Sequence, residues 1–217
     1  MRSLAKPAVL RASLCGGVFT ALACWPRLAL WFERPDALSF LLAVVFVCGF
    51  FLWNFVFGWH GQYSGRPVFV KLEPKLWAAV TVAAIVVALA KLFFTDPVLR
   101  PLRPDDFPKD LPSLAASILF GIGLTSSLLV FAPFALFMRL TGREQWSAGG
   151  TILVGVFVAF VAAGSKQPPL PAHVLAGVLA GWAAGGAWGV WLYLRGGAGL
   201  VWWWLTVIQA RHLAEVL

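Results

Sequence analysis

Long apolar runs separated by short polar intervals organise the whole chain. The clearest, ALSFLLAVVFVCGFFLWNFVFG over about 37–58, carries no charge at all. Others run roughly 9–32 (broken by Pro26), 76–95, 113–140, 148–164, 172–194 and 199–216. A membrane helix needs about 20 apolar residues, and most of these runs have that length without the two-residue alternation of a barrel strand. The pattern therefore predicts an all-α, polytopic transmembrane helical bundle of six to seven spans, forming one integral membrane domain over residues 1–217. No internal repeat, heptad or low-complexity tract divides it. The run over 113–140 is long enough to tilt.

The polar intervals are distinctive. DPVLRPLRPDDFPKDLP follows the third run and holds four of the nine acids. GWHGQYSGRP, with His60, reads as a loop, and Pro168-Pro169-Leu170-Pro171 reads as an extended connector ahead of His173.

Composition excludes a soluble domain. Of 217 residues, 60% are hydrophobic and 12% charged, with mean hydropathy +0.84, whereas soluble domains carry about 25% charged residues. The 12 Trp and 18 Phe suit interfacial belts, and the 21 Gly suit close helix contacts. The net charge of +8 lies in short loops and helix ends, where it sets topology and meets anionic lipid. No basic helix is interleaved with aromatics, which excludes nucleic acid as a partner. The expected location is a bacterial inner membrane.

With seven spans and the N-terminus inside, nine basic residues fall on the inner side (Arg2, Lys6, Arg11, Arg66, Lys71, Lys75, Arg139, Arg143, Arg195). Seven fall outside (Arg27, Arg34, Arg100, Arg103, Lys109, Lys166, Arg211), which favours an inner N-terminus. The N-terminal stretch also carries a signal-peptidase-like Ala21-Leu22-Ala23, but apolar sequence resumes after Pro26-Arg27, and a retained first helix is expected. Cys15, Cys24 and Cys48 lie in apolar segments without metal spacing and read as small buried hydrophobes. No metal or cofactor is expected.

Few residues are placed for chemistry. Gly177, Gly181, Gly185 and Gly189 share one helix face, read as tight packing inside the protein. His60 and His173 read as lone polar residues near helix ends, and Lys91, the main ionisable residue inside a span, as snorkelling. With so few ionisable groups inside the spans, a transporter or pore fits poorly. The last span differs: after Trp202-Trp203-Trp204, QARHLAEVL places Arg211, His212 and Glu215 within one helical turn, able to form a polar cluster. Arg139 closes the run FALFMR with no carboxylate close before it.

From about residue 107 onward these features resemble the CPBP family, the CAAX-protease and bacteriocin-processing intramembrane proteases. That family carries Glu-Glu-x-x-x-Arg on one helix, Phe-x-x-x-His on a later one, and His-x-x-x-Asn/Asp near the end. FALFMR, anchored on Arg139, is similar to the first motif, and Phe107-Pro108 fits the loop before it. YLRGGAGLVWWWLTVIQARHLAEVL is similar in order and spacing to the family's last part. Phe134 and Ala135 occupy the glutamate positions, Gly164 stands four residues after Phe160 where a histidine belongs, and Val216 follows His212 in place of Asn/Asp, with Glu215 one residue early.

Such a site needs a carboxylate to activate water and histidines to stabilise the oxyanion. The resemblance thus implies a degenerate site with Arg139, His212 and Glu215 as remnants, and a protein that is no peptidase but an accessory or binding subunit. Its partners would be a membrane protein or a lipidated or transmembrane substrate. Arg139 is expected to snorkel or to pair with Glu144 or Glu215. The alternative is an active intramembrane protease with a relocated site on His212 and Glu215, joined by a solvent-connected cavity.

Overall fold

The computed structural model describes residues 3–166 and 169–217; Arg2 of the inner charges and Pro168 of the connector lie outside the described residues. Among the described residues, six helical stretches are long and apolar enough to cross a membrane. They are α1 (Pro7–Trp31), α2 (Pro35–Ser64), α3 (Pro74–Leu99), α4 (Leu111–Thr141), α5 (Glu144–Gly164) and a stretch of 45 residues, Ala172–Val216. The protein is an integral membrane protein with an all-α bundle.

The starts are written locally. Pro7, Pro35 and Pro74 open α1, α2 and α3, where the missing N–H goes unused. Asp110 caps α4 by accepting the Ser113 N–H at 2.8 Å, while the Ser113 hydroxyl accepts the Asp110 N–H at 3.1 Å. Gly142, at φ 64°, ends α4 in the left-handed region. Pro26 does not break α1, which continues to Trp31; a transmembrane helix tolerates the lost donor because neighbouring elements compensate.

The 45-residue stretch is longer than any bilayer is thick and does not run straight. At Gly197 (φ 68°, ψ −167°) the chain turns back on itself, separating α6 (172–196) from α7 (198–216). Trp188 and Trp204 prove the reversal: their ring centroids are 5.5 Å apart, where sixteen residues of continuous helix would separate them by about 24 Å. Seven limbs therefore run between two faces. The first face holds Lys6, the 65–73 loop, Gly142 and the Gly197 turn. The second holds the 100–110 loop, residues 165–166 and 169–171, and the C-terminus.

Small residues let the limbs approach, because lipid gives helices no hydrophobic reason to associate. A Cβ on Gly16 would collide with the Trp53 side chain, and one on Gly17 would lie 3.0 Å from the Phe46 carbonyl, so these glycines admit α2 against α1. Thr20 sits at a three-helix node: its hydroxyl bonds the Gly16 carbonyl at 2.9 Å, accepts the Trp53 indole N–H at 3.1 Å, and lies 3.4 Å from the Gly123 carbonyl of α4. Trp53, Phe131, Phe134, Tyr193, Leu192 and Leu200 are fully buried and belong to one core. Phe40, Phe93, Leu153 and Phe157 point outward, as lipid-facing side chains do.

The four-step glycine row does not serve internal packing as its spacing led one to expect. At Gly177, Gly181 and Gly185 an added Cβ would meet nothing within 4 Å, and only Gly189 abuts a neighbour, Val130 at 3.6 Å. The glycine of α6 that faces α5 is Gly186, whose Cβ would lie 3.6 Å from Ile152 Cα.

Candidate functional site

Two polar constellations lie at opposite ends of the bundle. At the second face, α7 is tied to the end of α3. Arg211 donates from Nε to Asp96 Oδ2 at 2.7 Å and from Nη2 to Oδ1 at 3.3 Å, a two-pronged pair whose side chains are 10% and 5% exposed. Its Nη1 also donates to the Ile208 carbonyl at 2.9 Å. Glu215 pairs with Arg100 and lies 3.0 Å from His212 Nδ1. The Arg100 guanidinium covers the Phe107 ring at 4.9 Å, and that ring meets His212 edge-on at 5.6 Å.

Asp96 is the residue that sequence reasoning missed. DPVLRPLRP reads as the start of a loop, yet α3 continues through a wide π-type turn at Lys91–Thr95 and carries Asp96 inward. Arg211 therefore does not pair with Glu215 directly; it takes Asp96, and Glu215 takes Arg100 and His212. Charge at this depth is costly unless matched, and the network matches it. One signal was available: the acid nearest the end of the third apolar run faces, at similar depth, the only arginine inside the last.

The chemistry open to this cluster is limited. Glu215 is held by a cation on one side and an imidazole on the other, and His212 is 3% exposed. A cavity at this face is lined by Leu102, Arg103, Pro104, Asp105, Asp106 and Lys166, and Arg211, His212 and Glu215 do not line it. A general base must reach water or substrate to take a proton.

At the first face, a π-type turn in α2 (Val56–His60) brings Trp59 and His60 into the bundle. His60, expected in a loop, is fully buried within α2. Its ring lies 4.6 Å from Tyr193 and 5.8 Å from Phe134. Among the described residues, neither ring nitrogen of His60 nor the Tyr193 hydroxyl has a hydrogen-bond partner. Each such atom carries a desolvation cost of roughly 1–3 kcal/mol. Such wide turns often mark functional places.

Arg139 lies at this same face. Its guanidinium sits 4.4 Å over the Trp59 ring, and among the described residues it has no carboxylate within ion-pair distance. Neither expected partner is its own: Glu144 pairs with Arg66 at 2.9 Å, and Glu215 is at the other face. Phe134 and Ala135 are fully buried, Phe160 faces outward at 52% exposure, and Gly164 ends α5 toward the second face. Arg139, His212 and Glu215 are thus not brought together; only His212 and Glu215 meet. His173 is exposed at the start of α6. Compared with known proteins, the chain matches no family model, no curated protein and no solved structure.

Proposed function

We propose that this integral membrane protein acts by binding rather than catalysis, as an accessory subunit on a scaffold related to the CPBP intramembrane proteases. The partner is a second membrane protein or a lipidated or transmembrane polypeptide, and the setting a bacterial inner membrane. One observation carries the reading: the positions at which the resemblance expects the carboxylates hold Phe134 and Ala135, which cannot activate water, and the remaining motif residues Arg139 and His212 lie at opposite faces. Phe134 and Ala135 are sealed among apolar side chains, Arg139 stacks on Trp59 at the first face, and His212 lies in an ion-paired cluster at the second. A general base alone contributes about 10²–10⁴-fold, and no carboxylate stands at the motif positions beside Arg139 to supply one.

The open row of Gly177, Gly181 and Gly185 supports a binding role, since a small-residue face on an outer limb lets another helix approach. The test is purification of the tagged protein in mild detergent with quantification of whatever accompanies it, alongside cleavage assays on a lipidated C-terminal peptide and a transmembrane substrate. A partner at fixed near-equal stoichiometry and no cleavage above background are expected. Cleavage that disappears in His212→Ala would refute the proposal.

The 3.0 Å contact between His212 and Glu215 favours one other reading, a hydrolase with its site relocated to that pair. It requires His212→Ala and Glu215→Gln each to abolish cleavage while leaving the melting temperature of the protein nearly unchanged.

A further inference from the structure

The second face carries one buried cation that the charge network leaves unmatched. Arg103, in the loop between α3 and α4, is 9% exposed. Its Nη1 donates to the Leu102 carbonyl at 3.3 Å and its Nη2 to the Lys166 carbonyl at 3.2 Å. Both acceptors are neutral. Among the described residues no carboxylate lies within 4 Å of this guanidinium, whereas Arg211 has Asp96 and Arg100 has Glu215. A guanidinium carries five N–H donors, and buried charges are ordinarily paired.

Arg103 lines a cavity of about 290 Å³ with Lys166, Asp105 and Asp106. Lys166 pairs with Asp106, and Asp105 pairs at 3.4 Å with Lys109, which lies outside the lining, so both carboxylates of the cavity are taken and Arg103 has neither. The cavity opens between two loops at the end of the bundle, the depth at which lipid headgroups lie.

We propose that Arg103 and Lys166 form a binding site for the phosphate group of a membrane lipid. A phosphodiester headgroup brings the anion that Arg103 lacks. It offers acceptors for the remaining Arg103 donors and for Lys166, whose ammonium has N–H groups beyond the one on Asp106. The volume suits a headgroup, with the chains left in the bilayer.

The full chain, purified in a neutral maltoside detergent, is titrated with three probes: dihexanoyl phosphatidylglycerol, dioctanoylglycerol, and inorganic phosphate. Binding is read from the rise in melting temperature. A saturable rise is expected with the phospholipid and none with the phosphate-free diglyceride. Arg103→Gln and Lys166→Gln should each weaken phospholipid binding by about tenfold or more, the weight of one charge-assisted hydrogen bond. A rise with inorganic phosphate at concentrations like those of the lipid, lost in the same variants, would overturn the lipid assignment and make the site one for soluble phosphate. No rise with phospholipid, or equal rises in wild type and variants, overturns the site itself. Because Arg103→Gln also removes two loop contacts, Lys166→Gln, on a half-exposed side chain, decides the matter if the first variant does not fold.

Discussion

Replacing Gly197 by alanine tests the reversal on which the arrangement of α6 and α7 depends. At φ 68° and ψ −167° the backbone is in a region open essentially to glycine alone, and holding another residue there costs about 1–3 kcal/mol. The new Cβ would also lie 2.5 Å from the Val68 carbonyl oxygen and 2.9 Å from the Val70 nitrogen. Both are backbone atoms, so the 65–73 loop must move. Moving it loosens the bond from the Ala198 N–H to that same carbonyl, 2.9 Å long, which contributes about 0.5–1.5 kcal/mol.

Together these give a loss of about 2–4 kcal/mol, or roughly 5–15 °C in melting temperature for a chain of this length. The assay is thermal unfolding of purified protein in mild detergent. Gly199→Ala is the control: its Cβ would meet nothing nearer than Trp77 at 3.8 Å, so a helical alanine there should be neutral or stabilising by up to about 1 kcal/mol. A Gly197→Ala protein melting within about 2 °C of wild type would refute the reasoning, since even the conformational cost alone exceeds that. The reversal has a second readout. In a protein with its three native cysteines replaced, single cysteines at His173 and Leu217 should label with an impermeant thiol reagent from the same side of the membrane.

Three further outcomes follow from named contacts. Asp96→Asn leaves Arg211 buried with a neutral partner and should cost about 3–5 kcal/mol, whereas the double change Asp96→Leu with Arg211→Met should recover most of it in a thermal double-mutant cycle. His60→Leu removes two unpartnered buried nitrogens and should leave the melting temperature unchanged or raise it; a fall of several degrees would reveal a partner for that ring. Asp110→Ala should fray the first turn of α4, read as faster amide exchange at Ser113 and Leu114. The Ser113 N–H and hydroxyl hold the Asp110 carboxyl below its ordinary pKa, so this cap is complete above the usual carboxylate range and fades as pH falls through the lowered value.

The spans were legible because each is a run of apolar residues near bilayer length, punctuated by proline or glycine. The turn between α6 and α7 was legible for the same reason: RGGAG interrupts two runs whose sum no bilayer could hold. The wide turns in α2 and α3 left no such mark, since one extra residue per turn changes neither composition nor length. They decide that His60 and Asp96 point into the bundle instead of lying in loops. The pairing of Asp96 with Arg211 spans 115 positions, and in a single sequence their similar depth at the ends of two apolar runs is the one signal that links them. The glycine row shows a different limit. A four-residue step says which residues share a face, but not whether a neighbour covers that face, and here α5 packs one position off the row, at Gly186.

The same limit bears on Arg139. The motif resemblance implies that it and His212 served one site, yet α4 ends at the first face and α7 at the second, with the bundle between them. Hydrolysis needs base, water and anion-stabilising donors within hydrogen-bond reach, about 3 Å, while a bilayer core is about 30 Å thick. What fixes Arg139 is local: the Trp59 ring beneath its guanidinium, at 4.4 Å, an attraction of about 0.5–1 kcal/mol at a partly exposed site. A charge at the end of an apolar helix needs no carboxylate opposite it when an aromatic face covers its inner side and headgroups receive its outer side. At the second face the charges lie deeper, no ring can replace an anion, and the carboxylates of Asp96 and Glu215 are present where the cations require them.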